Sequence, residues 1–197
     1  MLLLSLKLTV LMWWGINMSI WADFQKFISG GKQEVQQPVV EQPKEAAKPD
    51  YLERLKMAES GGRAEVKAKT SSATGHHQFI DSTWKSLTTK YNKPYTLEDR
   101  KDPAKSLEIA KLYTDENKAI LQKTLKEEPT DTQLYAAHFL GTTGAKKFLT
   151  ASPKKLAKDV VNKNQVAANK NIFYDEKGKP RTVSQVYGIL QKKIGEE

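Results

Sequence analysis

Residues 30–49, GGKQEVQQPVVEQPKEAAKP, cut the chain in two. Gln, Pro, Glu and Lys dominate this stretch and large apolar side chains are almost missing, so it cannot bury enough surface to order itself. It predicts an extended, disordered linker. Any packed core must therefore come from residues 1–29 or from residues 50–197.

Residues 1–29 are strongly apolar. The run 8–22 carries no charge but is only 15 residues long, against the roughly 20 that span a bilayer comfortably. Extended back through Lys7, whose ammonium can snorkel to the interface, it reaches membrane length. Trp13, Trp14 and Trp21 suit that interface, and Ile20-Trp21-Ala22 is a poor cleavage site. The expectation is an uncleaved signal anchor helix. A cleaved signal peptide, or a buried or partner-binding helix, are the alternatives.

Residues 50–197 predict one domain that is mostly α. Asp50 with Glu53, and Thr130 with Gln133, make capping-box patterns at two helix starts. Asp102-Pro103 opens a long helix reaching about Lys126, with Pro at the favoured first position. Ser152-Pro153 predicts a further start. Ile80, Trp84, Leu87 and Tyr91 form one helical stripe, and Val183, Val186, Leu190 and Ile194 form another on the last helix. The only β element expected is a small hairpin within KTSSATGHHQF, residues 69–79.

Charge narrows the partners. The whole chain has 32 basic and 23 acidic residues; the first 49 hold 5 and 4 of them, so residues 50–197 carry +8. A basic domain attracts polyanions such as nucleic acid, anionic lipid or cell-wall polymer. Its lysines are interspersed with acids, without the aromatic-interleaved stripe of a nucleic-acid binder, so nucleic acid is not expected. The chain has no cysteine, which excludes disulfides and thiolate metal sites.

One residue breaks the apolar logic. In YLERLKMAESGG, residues 51–62, Leu52, Leu55 and Glu59 share a helix face, so a carboxylate follows two apolar residues inward. Shortage of water disfavours a charged carboxylate, which suits such a group to donate a proton near neutral pH. Gly61 and Gly62 end the helix and let a ligand approach it. A solvated glutamate at a frayed helix end is the plainer alternative.

The next segments weigh on that choice. Glu59-Ser60, then Gly75-His76-His77-Gln78, then AAHFLGTTGAKKFL, then ANKNIFYDEKGKPRTVSQVYGIL follow one another in order. This series resembles the soluble lytic transglycosylases, a family with a goose-type lysozyme-like fold. The last segment is similar to that of phage and alphaproteobacterial members. The resemblance implies cleavage of the MurNAc-β-1,4-GlcNAc bond of peptidoglycan, with 1,6-anhydromuramic ends and no cofactor. It implies Glu59 as the catalytic acid and Gln78 as a partner of sugar amides or hydroxyls. Thr70 or Ser71 stands where the family has a hydroxyl near the glutamate or the N-acetyl group. Ser60 follows the acid and either steadies it or is an ordinary helix residue. Tyr187 matches a tyrosine that approaches the glutamate in relatives, or is simply an aromatic beside the Val183/Leu190 stripe.

Two departures stand out. His76-His77 replaces the family's usual Leu-Met, and His138-Phe139 replaces its usual Tyr-Asn. His77 and His138 become candidate sugar contacts, with internal packing as the alternative. A zinc site is not expected, because no carboxylate stands at ligand spacing beside these histidines. Asp81 is the one nearby acid that could serve as a second carboxylate for hydrolysis, as in a muramidase; it also reads as a helix N-cap. The expected partners are peptidoglycan strands and, through the N-terminal segment, the inner membrane. The expected protein is a periplasmic monomer, anchored or exported, and at the host inner membrane if phage-encoded. A non-catalytic wall-binding or virion-assembly module is the remaining alternative.

Overall fold

The computed structural model describes residues 50–196, and the anchor and linker expected over residues 1–49 lie outside them. The described chain is helical, as its patterning predicts: α1 Tyr51–Ser60, α2 Asp81–Lys90, α3 Pro103–Leu125, α4 Asp131–Leu149, α5 Lys163–Ala168, α6 Lys170–Phe173 and α7 Val183–Ile194.

Several starts follow the sequence signals. The Asp102 side chain accepts from the Lys105 amide at 3.0 Å ahead of Pro103. Thr130 with Gln133 and Thr182 with Gln185 form complete capping boxes, each satisfying amides that a helix leaves unpaired. Asp50 stands at the N-cap of α1 but makes no side-chain cap bond, and Glu53 pairs with Lys56 at 2.7 Å.

Ser152-Pro153 does not open a helix. A turn forms there, closed by the Lys155 amide on the Ser152 carbonyl at 3.0 Å. The following backbone pairs with the segment before α7: Ala157 N–H donates to Arg181 at 3.0 Å, and Val183 N–H donates to Lys155 at 2.8 Å. These long-range partners satisfy the amides, and the chain winds only into a 3-10 turn at Ala157–Asp159. The expected hairpin reduces to single antiparallel bridges, Lys67 to Thr74 and Thr74 to Phe79.

Two apolar cores result. In the larger, Leu55 of α1, Leu121 of α3, Phe148 of α4 and Val186, Leu190 and Ile194 of α7 pack with Phe173. The α7 stripe is buried at all four predicted positions. In the smaller, Phe79, Trp84, Leu87, Ile109 and Ala110 support residues 63–79, with α2 and the first half of α3. Leu52 packs against both.

Candidate active site

Glu59 is the penultimate residue of α1, half-buried. Gly61 ends the helix directly after it, in the left-handed conformation (φ 60°), with its amide on the Met57 carbonyl at 3.0 Å. The turn lets the chain leave sideways and keeps the Glu59 side chain at a wall of an open cleft of about 410 Å³. That volume lies within the roughly 300–1,000 Å³ range of ligand sites. Ala68, Thr70, Ser71, Ala73, Gln78, Phe79, Ile80 and Thr83, with Tyr113 of α3, His138, Phe139 and Gly141 of α4, and Gln165, Ala168 and Asn169, supply the other lining groups. Among the described residues that line it, Glu59 is the only acid.

A tyrosine missed in the sequence stands beside that acid. The phenol of Tyr135, a residue only 1% exposed, interacts with the Glu59 carboxylate. Burial and then the Glu59 charge push the Tyr135 phenol well above its ordinary range, so it stays protonated and acts as a fixed donor. Tyr51, almost as buried, is raised chiefly by burial, with smaller contributions from the charges of Asp131 and Glu59. Tyr135 could have been found from spacing. It precedes His138 and Phe139 by three and four residues and therefore shares their helix face. Its ring stacks on Phe139, at 6.5 Å between centroids.

The predicted residues divide. Glu59, Thr70, Gln78 and His138 line one cleft. Gln78 takes a left-handed backbone (φ 49°), and its Nε2 donates to the Val66 and Gly75 carbonyls at 2.9 and 2.8 Å. An amide nitrogen has two hydrogens, so only the Gln78 carbonyl oxygen is left to meet a ligand, as an acceptor. The Gly75 of that turn cannot be replaced: its φ is +83°, and a Cβ there would stand 1.9 Å from the Arg100 carbonyl oxygen. Thr70 reaches the Ala168 carbonyl at 3.5 Å, while the Ser71 hydroxyl accepts from the Ala73 amide at 3.3 Å. His138 Nε2 lies 3.0 Å from the His77 carbonyl oxygen. A carbonyl only accepts, so that nitrogen carries a hydrogen.

His77, Ser60 and Tyr187 stand elsewhere. The His77 ring is 1% exposed, with Nδ1 2.8 Å from the Ser106 hydroxyl. Burial, aided by His138, His76 and Lys56, pushes its pKa down to about 3. It is an interior packing group. Ser60 is buried and donates back along α1 to the Lys56 carbonyl at 3.1 Å. Tyr187, on α7, packs half-buried against the larger core.

Asp81 does not cap α2, because Ile80 holds that position. Its carboxylate is paired at 2.7 Å with Arg100, whose Nη1 also bonds the Ser72 and Phe79 carbonyls. Among the described residues no three His, Asp or Glu side chains gather as a metal-ligand set. Other cleft groups had no signal in the sequence. Gly141 interrupts α4 (φ 68°, ψ 157°), and the Leu140 carbonyl beside the break accepts from Gln165 Nε2 at 2.5 Å.

A family model, the transglycosylase SLT domain, matches residues 40–158, more than half of the chain. The chain belongs to this family. It is thus a lytic-transglycosylase-type enzyme with a lysozyme-like fold, and its substrate is peptidoglycan. The SLT match includes Glu59, the Gly75–Gln78 turn, Tyr135 and His138. It ends before α5 and α7, so the Gln165–Asn169 wall and Tyr187 fall outside it.

Proposed function

We propose that Glu59 works alone in this SLT domain, cutting the MurNAc-β-1,4-GlcNAc bond and leaving 1,6-anhydromuramic ends. One observation carries the reading: among the described residues Glu59 is the single carboxylate lining the cleft, and the other acid offered by the sequence, Asp81, is engaged by Arg100. Hydrolytic glycosidases generally need a second carboxylate, about 5–10 Å from the first, to activate water or form a covalent intermediate. Here the substrate fills that role. Glu59 first gives its proton to the glycosidic oxygen as the C1–O bond breaks, and the muramic N-acetyl oxygen stabilises the positive charge at C1. The Glu59 carboxylate then takes the proton of the same sugar's 6-hydroxyl as that oxygen bonds to C1. No water enters, and the attacking group is already positioned.

Tyr135 supports both steps. Its O–H holds one carboxylate oxygen, and the other faces the substrate and exchanges the proton. Gln78, through its carbonyl oxygen, accepts from a sugar amide or hydroxyl. Thr70 and His138 add polar contacts, and Phe139 and Tyr113 add flat apolar surface for sugar rings.

Mass spectrometry of digested wall tests the chemistry. Anhydro ends are expected, and reducing muramic ends would replace this mechanism with hydrolysis. Glu59→Gln is expected to lose at least about 10³-fold in turnover, since it removes both proton transfers, while still binding wall. Undiminished lysis by that variant would remove Glu59 from the mechanism.

In the cell the enzyme belongs to the periplasmic side of the inner membrane, held there by its apolar N-terminus across the 30–49 linker. It serves host lysis as a phage endolysin, or wall remodelling in a bacterium. The body's +8 charge attracts the anionic wall. Fractionation of cells expressing the full chain tests the placement: it should sediment with inner membrane and resist salt extraction. Recovery in the soluble periplasm would mean a cleaved or released form.

A further inference from the structure

A second and larger concavity, of about 1020 Å³, lies on the other side of the α5–α6 segment. Gln165, Ala168 and Asn169 face the catalytic cleft, whereas Val166, Ala167, Lys170 and Asn171 face the second groove. One short helical segment is the wall between them. The groove is charged in both senses over an apolar floor that includes Val166 and Tyr174. Much of this charge is engaged internally. Lys158 pairs with Asp159 at 2.8 Å. Asp175 accepts from the Lys177 and Lys179 amides at 3.0 and 2.8 Å. Arg181 Nη1 holds the carbonyls of Asn171, Ile172 and Tyr174. Among the described residues, Lys163 and Lys170 have no ion-pair partner, and neither has Glu176 on the same rim.

We propose that this groove binds the peptide stem of the peptidoglycan strand whose sugars occupy the cleft, with Lys163 and Lys170 taking the stem's carboxylates and Glu176 its amino group. The proposal rests on the enzymatic reading above. Its chemistry is complementary: a wall stem is a short zwitterionic peptide with several carboxylates, and the groove offers two unpaired ammonium groups, one carboxylate and an apolar floor. Its geometry is adequate. A helix is about 10–12 Å across with its side chains, and four or five extended residues reach roughly 13–18 Å. A stem leaving a muramic sugar in the cleft can therefore cross the α5–α6 wall and lie in the groove. Arg181, tied to the Asn171, Ile172 and Tyr174 carbonyls, fastens the α6 end of that wall.

The test compares two substrates with the full chain: intact glycan strands bearing their stems, and the same strands stripped of stems by an amidase. Lys163→Ala/Lys170→Ala changes two exposed side chains outside the cleft. On stem-bearing strands this variant is expected to raise KM about tenfold with kcat unchanged, the size of two exposed charge contacts. On stripped strands it should match the wild type. Equal weakening on both substrates would mean general attraction to the polymer and would overturn the proposal, as would no change on either. A stem tetrapeptide freed from wall by the amidase, titrated into each protein, supplies a second reading. Saturable binding that the variant weakens about tenfold supports the groove, and identical titrations overturn it. If the wild type cuts neither substrate, the enzymatic reading fails, while the titration still decides whether the groove holds a stem.

Discussion

The two sides of the catalytic cleft are built by different physics. The side carrying Glu59 and Tyr135 rests on α1, α4 and α7, whose apolar faces interlock in the larger core. The opposite side, residues 63–79, has no helix and only isolated bridges. It is held by Gln78 on two carbonyls, by Gly75 against the Arg100 backbone, and by the Arg100 side chain on Ser72, Phe79 and Asp81. The first side is stabilised by area removed from water. The second depends on polar groups that must each find a partner. An acid that gives and retakes a proton needs the rigid side; a loop that meets sugars needs donors and acceptors within reach.

Mutations should separate the two. The largest effect is expected from Phe148→Ala, which empties a fully buried site in the helical core and should cost about 3–5 kcal/mol. Denaturant unfolding should show the whole domain weakened together, and a loss below about 1 kcal/mol would mean this core is not the principal support. Arg100→Ala, at a side chain 6% exposed, strips donors from the Leu97, Ser72 and Phe79 carbonyls, and about 2–4 kcal/mol is expected. Hydrogen exchange should accelerate over residues 63–79 while α4 and α7 stay protected. Uniform acceleration would erase the distinction between the two sides.

Tyr135→Phe sharpens the comparison on the rigid side. It keeps the ring stacked on Phe139 and removes only the hydroxyl at Glu59. Turnover should fall about 10- to 100-fold with KM and melting temperature nearly unchanged. A loss confined to stability would make the tyrosine a packing group.

The smallest effect per step is a pH dependence at the junction of the two sides, where His77 contacts Ser106 and its carbonyl meets His138. The buried His77 ring stays neutral down to about pH 3, whereas in the unfolded chain it takes a proton near the usual pH of roughly 6.5. Below that value the unfolded state binds the extra proton. The contribution of His77 is therefore complete above about pH 6.5 and is lost as pH falls, by about 1.4 kcal/mol per unit, toward pH 3. Unfolding measured from pH 7 to 4 should show that slope, and His77→Gln should flatten it. An equal slope in the variant would assign the effect to other groups.

In three places where the side chains repeat with the helix or cap it, the sequence alone determined the outcome. The long α3 after Asp102-Pro103, the Thr130/Gln133 box and the Val183/Val186/Leu190/Ile194 stripe all formed as patterned, because capping and amphipathic burial act between residues three and four apart. The half-buried place of Glu59 on α1 was legible for the same reason, as a carboxylate out of place on an apolar face. Tertiary structure decided what required distant partners. Ser152-Pro153 became a turn because residues 181–183 took its neighbours' hydrogen bonds, and Asp81 was withdrawn by Arg100. His77 turned inward to Ser106, and Tyr135 came to stand beside the acid. Each of these outcomes depends on which groups from remote parts of the chain arrive within about 3 Å. Local periodicity carries no information about that.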